Sequence, residues 1–98
     1  MSDDHSGFAP PPFKPDTALE QIKRSLRDLK LAERGHGFDL RGKRVVELGI
    51  EGDAIHLRLA RTLALTPPWD AMKIKTAAEQ RKFIDEMRKR LARWTQDE

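Results

Sequence analysis

The sequence predicts an α+β fold with an N-terminal helix, an antiparallel β-hairpin or three-stranded meander, and a C-terminal helix. Residues 43–60 alternate apolar and polar side chains on both sides of a Glu-Gly pair, as in two strands joined by a turn. The segments before and after repeat apolar side chains every three or four positions, as in amphipathic helices. We expect both helices to cover one face of the sheet and to leave the other face open.

The hairpin at residues 43–60 has a register that the pattern itself specifies. A two-residue turn at Glu51-Gly52 would place the apolar pairs on one face, Leu48 opposite Ile55 and Val46 opposite Leu57. The other face would pair Glu47 with His56, Val45 with Arg58 and Gly49 with Ala54. A slip of one residue would turn the apolar side chains toward solvent, so this register is strongly favoured.

The first helix is predicted to begin at Asp16 or Thr17, because Thr17 and Glu20 have the spacing of a capping box. Gly35 and Gly37 are predicted to end it, since glycine readily adopts the left-handed conformation that closes helices. Its apolar stripe consists of Leu19, Ile22, Leu26 and Leu29.

The last helix is the clearest helical pattern in the chain. Thr76 and Glu79 form a second capping box. The apolar face that follows consists of Phe83, Ile84, Met87, Leu91 and Trp94.

Two connecting segments leave alternatives open. A short strand at 38–40, turning at Arg41-Gly42, would pair Phe38 with Val45. This pairing places the apolar Phe38 on the polar face of the hairpin, a conflict that a bulge, a longer loop or an apolar contact from Phe13 would resolve. Residues 61–75 continue the strand alternation, which we prefer to a helix capped by Asp53. In this segment Trp69 is expected to close one end of the core, and Met72 and Ile74 to form a further short strand.

A chain of 98 residues is long enough for one domain with a modest core. We expect residues 1–15 to be a disordered proline-rich tail, 16–95 a single α+β domain, and 96–98 a disordered end. The tail is either solvated or docks Phe13 and its prolines on a partner or on the domain's own sheet. A regulatory subunit with this tail as its docking peptide is a third interpretation of the chain.

Composition excludes several kinds of site. The chain has no cysteine, which excludes disulfides and thiolate metal sites. No apolar run approaches the roughly 20 residues that span a bilayer, and the N-terminus lacks the pattern of a signal peptide. We expect a cytoplasmic protein that makes no membrane contact.

No motif indicates catalysis. The serines lack the context of a nucleophile elbow, and the glycine-containing segments match neither a phosphate loop nor a dinucleotide fingerprint. We therefore expect no enzymatic activity and no cofactor. The first turn would bring together three residues of types that bind zinc, namely His36, His56 and Glu47. We prefer the interpretation that Glu47 and His56 form a solvated cross-strand pair, so we expect no metal.

Two functions remain. The first is a protein-protein interaction or self-associating module, for instance a homodimer, acting through an exposed sheet face or edge. Its candidate contact residues are Phe13, Val45, His56 and Arg58.

The alternative is a nucleic-acid-binding accessory protein, because the net charge is +3 and bases crowd the last helix. Its candidate polyanion contacts are Arg81, Lys82, Arg88, Lys89, Arg90 and Arg93. The acids Asp85 and Glu86 lie among these bases, so we expect any such binding to be weak.

Overall fold

The computed structural model describes residues 12–96. In chain order the elements are α1 (Pro15–Asp28), β1 (Ala32–Arg34), β2 (Gly37–Leu40), β3 (Lys43–Glu51), β4 (Ala54–Ala60), β5 (Trp69–Ile74) and α2 (Ala77–Thr95). The strands form one antiparallel sheet in sequence order. The α+β prediction is confirmed, with five strands where a hairpin or a three-stranded meander was expected. The first eleven residues of the predicted tail, and residues 97–98 of the predicted end, lie outside the described residues.

The core lies between the two helices and one face of the sheet. Its fully buried helical side chains are Ile22 and Leu26 from α1 and Phe83 and Met87 from α2. The sheet contributes Phe38, Val45, Val46, Leu48, Ile55, Leu57, Leu59 and Ile74. Within residues 12–96, neither helix has the length and apolar character needed to cross a membrane.

The two helix starts obey different rules. α1 begins at Pro15, one residue before the predicted range, because proline at the first helical position has its φ preset and needs no amide partner. Its N-cap, Lys14, makes no side-chain cap, so the predicted capping box at Thr17 is wrong. α2 begins as predicted, with the Glu79 N–H donating to Thr76 Oγ1 at 3.1 Å.

The left-handed residue that closes α1 lies five positions before Gly35, the first of the glycines that were predicted to end the helix. Lys30 adopts a left-handed φ of 72°. The Lys30 N–H donates to the Arg27 carbonyl, and the Leu31 N–H donates to the Leu26 carbonyl. These two bonds make a Schellman motif, and the buried Leu31 and Leu26 provide its apolar contact. Gly35 lies instead in the β1–β2 turn, where its φ is 62°.

The turn between β3 and β4 corrects the predicted register. Gly52 has a φ of 64°, and Glu51 pairs with Ala54, so the turn residues are Gly52 and Asp53. Glycine with positive φ at the first turn position is typical of a type II′ turn. The predicted inner face is preserved, but the partners are shifted: Leu48 pairs with Leu57, Ile50 with Ile55 and Val46 with Leu59. On the other face Glu47 pairs with Arg58 and Gly49 with His56, so the predicted Glu47–His56, Val45–Arg58 and Gly49–Ala54 pairs are wrong.

A bulge in β3 resolves the conflict at Phe38. The turn at Arg41-Gly42 has φ values of 55° and 79°, as in a type I′ turn, and pairs Leu40 with Lys43 as predicted. The register then shifts, so that Phe38 pairs with Val46 and Val45 is the extra residue in β3. Val45 and Val46 are both fully buried, and so is Phe38. The expectation that Val45 lies on the polar face and contacts a partner is therefore wrong.

The segment after the main hairpin divides into a loop and a strand. Residues 54–60 are a strand, so the alternative helix capped by Asp53 is wrong. Residues 61–68 form a loop, in which Leu65 is 83% exposed, so the expectation that the strand alternation continues through these residues is wrong. Met72 and Ile74 lie in β5, as predicted, and this strand begins at Trp69. Trp69 packs beside the core as expected, but on the sheet face opposite the helices, where it pairs with Ala60.

Candidate interaction surface

The sheet face opposite the helices, here called the uncovered face, carries every second side chain of each strand. Strand alternation places these side chains there because their neighbours point into the core. Its main members are Arg34, Gly37, Asp39, Arg44, Glu47, Gly49, His56, Arg58, Trp69, Ala71 and Lys73. Charged and aromatic side chains thus occupy a sheet face that no helix of the described chain covers.

Ion pairs begin at the β1 end of this face. Arg34 Nε donates to Asp39 Oδ2 at 2.6 Å. Arg44 Nε lies 2.8 Å from the other oxygen, Asp39 Oδ1, in an ion pair whose angles are not those of a hydrogen bond. Asp39 is only 7% exposed, so its carboxylate is a buried charge that depends on both guanidinium groups.

The same series continues to the far side of the sheet. Arg44 Nη1 lies 3.9 Å from Glu47 Oε2, and the Arg58 guanidinium donates to Glu47 Oε1. The Arg58 Cζ lies 4.7 Å from the centroid of the Trp69 ring, within cation–π range. We call the series of charged residues the ion-pair ladder; it consists of Arg34, Asp39, Arg44, Glu47 and Arg58. The ladder ties β1, β2, β3 and β4 together and ends against an aromatic ring on β5.

Gly37 makes room for the middle of the ladder. A Cβ atom added at Gly37 would overlap the Arg44 guanidinium and the backbone carbonyl oxygen of Val46. The absence of a side chain therefore lets Arg44 lie flat across β2 and reach both Asp39 and Glu47. Gly49 on the same face has no neighbouring atom within 4 Å of the corresponding position.

Glu47 has a pKa below its ordinary value of 4.5. The hydrogen bond from Arg58 is the largest cause, and the positive charges of Arg58, Arg44 and His36 act in the same direction. Partial burial acts in the opposite direction and is outweighed. Glu47 is therefore held as a carboxylate that fixes the direction of Arg58.

This shift predicts an acid-sensitive contribution to stability. Because the folded-state pKa of Glu47 lies below the unfolded value, its contribution is present above the unfolded value and is lost as pH falls through the folded one. Glu47→Gln should be less stable than the wild type at pH 7, and the two should converge as pH falls below about 4.5. Urea unfolding at a series of pH values measures the difference. In an Arg58→Ala background the same substitution should show much less pH dependence, and an unchanged pH dependence there would contradict the assigned cause.

A shallow depression of about 400 Å³ lies beside the ladder. His36, Glu47, Gly49, His56 and Arg58 are among its lining residues. His56 Nε2 lies 3.1 Å from Glu51 Oε1, so its acidic neighbour is Glu51 and not the predicted Glu47. Among residues 12–96 no three His, Asp or Glu side chains are placed to hold a metal ion.

The predicted contact at Phe13 lies elsewhere. Phe13 is half-buried against the core and lines a cavity of about 580 Å³ between the starts of the two helices. Thr17, Ala18 and Ala77 line the same cavity. Phe13 therefore packs on its own domain, beside the helices and not on the sheet face that was suggested for it.

The six bases predicted to contact a polyanion on α2 divide into two groups. Arg90 is only 14% exposed and holds α2 to the sheet, since its Nη1 donates to the Ala60 carbonyl at 2.9 Å and lies 3.0 Å from Asp70 Oδ2. Its Nε donates to Glu86 Oε2, four positions earlier on the helix, at 2.7 Å. The other five are exposed, and Arg88 lies 3.6 Å from Asp85. Four bases of α2 have no acidic partner within residues 12–96: Arg81, Lys82, Lys89 and Arg93.

The open edge of the sheet is the second feature of this surface. β5 pairs with β4 on one side and has no strand partner on its other side within residues 12–96. Its six residues are twice the length of β1, the strand at the opposite edge. Unpaired backbone groups along such an edge are a template for pairing with another strand.

No protein-family model, curated protein or solved structure matches this chain. The chemistry of its own surface is therefore the basis for assigning a function.

The candidate contacts from the sequence are thus dispersed. His56 and Arg58 lie together on the uncovered face, while Phe13 lies beside the helices and Val45 is in the core. The sequence interpretation missed Arg34, Asp39, Arg44 and Trp69 as members of the surface. One signal in the sequence would have revealed the bulge: the adjacent apolar pair Val45-Val46 breaks the alternation of β3. With the bulge placed there, Asp39 and Arg44 fall on the uncovered face.

Proposed function

We propose that this chain is a small non-enzymatic interaction module that binds a protein partner, or a second copy of itself, through the uncovered face and the β5 edge of its sheet. The observation that carries the proposal is the one-sided sheet. Both helices lie on one face, while the other face presents Arg58 stacked on Trp69 beside an unpaired six-residue edge. The absence of cysteine from the chain is compatible with action in the cytoplasm.

Arg58 and Trp69 have the properties of an interface anchor. Arginine and tryptophan are the residue types that most often dominate binding energy at protein interfaces. Glu47 holds the Arg58 guanidinium, and Arg58 in turn lies over the Trp69 ring. Side chains that are held in place before binding lose less conformational entropy when a partner docks. The ladder thus prepares this corner of the sheet for contact.

A second candidate function is nucleic-acid binding by the exposed bases of α2. Lys82, Lys89 and Arg93 follow one another at helical spacing along one side of α2, and none has an acidic partner within residues 12–96. Such a stripe would contact phosphates and would bind in a strongly salt-dependent way. Asp85 on the exposed side of the same helix weakens the positive field, which is why we rank this function second.

One pull-down from the source cell separates the two functions. We expect the wild-type chain to capture the same partner protein with and without nuclease, because the contact is made by the sheet. Arg58→Ala should lose that partner, whereas the matched Arg93→Ala substitution on α2 should retain it. Loss of the partner after nuclease treatment, or in Arg93→Ala but not in Arg58→Ala, would overturn the proposal in favour of nucleic-acid binding.

A further inference from the structure

The backbone of β5 presents a short row of hydrogen-bonding groups along the sheet edge. The Arg61 N–H donates to the Pro68 carbonyl at 2.9 Å, which fixes the alternation of the antiparallel ladder between β4 and β5. From that bond onward every second residue of β5 faces β4, namely Asp70, Met72 and Ile74. The amides and carbonyls of the intervening residues, Trp69, Ala71 and Lys73, face away from the sheet.

This row is bounded on both sides. Pro67 lies before it and has no N–H to donate. Lys75 lies after it, and its N–H already donates to Glu79 Oε1 at 2.7 Å as part of the start of α2. The outward N–H donors of the edge are thus those of Trp69, Ala71 and Lys73, with Ala71 at the centre.

We infer that β5 pairs antiparallel with β5 of a second copy of this chain, with the two-fold axis at Ala71, an inference that rests on the proposed function. Ala71 then faces Ala71 of the second copy, and Trp69 faces Lys73 of the second copy. In this register each outward amide of Trp69, Ala71 and Lys73 meets an outward carbonyl of the same three residues in the other strand. The two sheets join into one of ten strands, with all four helices on the same face.

The side chains favour the same register. On the uncovered face the Lys73 ammonium of one copy is brought to the Trp69 ring of the other, an attractive cation–π arrangement. Ala71 at the axis is exposed and small, so two copies approach there without a clash. An axis at Asp70 would instead place two carboxylates opposite each other, which is unfavourable. An axis at Met72 would place Trp69 opposite Lys75, whose N–H is already bound to Glu79.

Disulfide cross-linking tests this register directly, because the chain has no cysteine of its own. At the axis the two Ala71 Cα atoms would lie about 5.5 Å apart, within the range of a disulfide. The two Lys73 residues would be offset by four positions along the paired strands, so their Cα atoms would lie roughly 14 Å apart, which is too far for a disulfide. Under mild oxidation Ala71→Cys should give a covalent dimer of the full-length chain, and Lys73→Cys, at a position that is also exposed, should not.

Sedimentation supplies the second measurement. The wild type should dimerise as its concentration rises, and Ala71→Pro should raise the dissociation constant by about tenfold or more, because proline removes the donors at the axis. The Ala71 N–H faces outward, so proline there leaves the bonds to β4 intact. Circular dichroism checks that the variant is folded. If Ala71→Pro is unfolded, Lys73→Glu is measured in its place and should weaken the dimer. Lys75→Glu is the charge-matched control and should still dimerise.

The outcomes distinguish this inference from the proposed function. A dimer that fails to cross-link through Ala71→Cys overturns the β5 register. A wild-type monomer throughout the micromolar range overturns the pairing of two copies, while the pull-down with Arg58→Ala decides separately whether the sheet binds another protein.

Discussion

Phe38→Ala should lower the free energy of unfolding by about 3–5 kcal/mol, among the largest effects of any single substitution in this domain. Phe38 is fully buried in the core, where the β3 bulge places it opposite Val46. Truncation to alanine removes most of the ring from the core and leaves a cavity that the surrounding sheet and helices fill only in part. Urea denaturation followed by circular dichroism measures the loss.

The exposed Leu65 provides the control for Phe38. This side chain is 83% exposed in the loop before β5, so Leu65→Ala should change stability by no more than about 0.5 kcal/mol. The comparison also tests the bulge. Without it, Phe38 would pair with Val45 and lie on the uncovered face, and Phe38→Ala would cost no more than the control. A loss below about 1 kcal/mol would therefore contradict the bulged register.

The sequence predicted which side chains of the main hairpin point inward but not which residues pair across it. Alternation determines the face, and Val46, Leu48 and Leu57 are all buried as expected. Moving the turn from Glu51-Gly52 to Gly52-Asp53 changes every partner and leaves the faces of residues 46–51 and 54–59 unchanged. The difference is decided by the backbone of Gly52, whose positive φ suits the first position of a type II′ turn.

The candidate site was less predictable because it depends on the strands that the sequence left open. His56 and Arg58 were placed correctly on the polar face, since both lie in the clear alternation of β4. Asp39 and Arg44 face the same side only because of the bulge, and Arg34 belongs to a three-residue strand without a periodic signal. A helix stop at Lys30 was equally hidden, because the left-handed cap is occupied by a residue type that rarely adopts it.

Several of the basic residues that give the chain its positive net charge are paired with acids in the structure. On the uncovered face, each of three arginines lies against a carboxylate: Arg34, Arg44 and Arg58. On α2, Arg90 lies between the carboxylates of Asp70 and Glu86. A charge count from the sequence includes these arginines, whereas an approaching polyanion would meet them already neutralised. The distribution of ion pairs therefore favours a protein partner for the sheet and leaves the exposed stripe of α2 as the candidate contact for phosphates.

Gly37→Ala should destabilise the domain by about 1–3 kcal/mol, although it adds a single methyl group to a strand. The new Cβ would overlap the Arg44 guanidinium and the Val46 carbonyl oxygen. Arg44 is able to swing away, but it then leaves Asp39, a carboxylate that is only 7% exposed, with one guanidinium partner in place of two. The Val46 oxygen belongs to the backbone of β3, so relieving that overlap also separates β2 from β3.

Gly49→Ala is the matched control because Gly49 is a strand glycine on the same uncovered face. No atom lies within 4 Å of its added methyl group, and its φ is not in the left-handed region. Alanine there should leave stability unchanged or raise it by about 0.4–1 kcal/mol, since it reduces the conformational freedom of the unfolded chain. Urea unfolding of the two variants under identical conditions gives the comparison.

The sign of the difference shows whether the space over Gly37 is occupied, and coupling to Arg44 shows whether the ladder occupies it. If Arg44 lies across Gly37, the same substitution destabilises at one strand position and is tolerated at the other. The Gly37→Ala variant should also respond less to Arg44→Ala than the wild type does, because the added methyl has already displaced the guanidinium. Equal stability of the two glycine variants, or full additivity of Gly37→Ala with Arg44→Ala, would mean that Arg44 does not bridge Asp39 and Glu47 across β2.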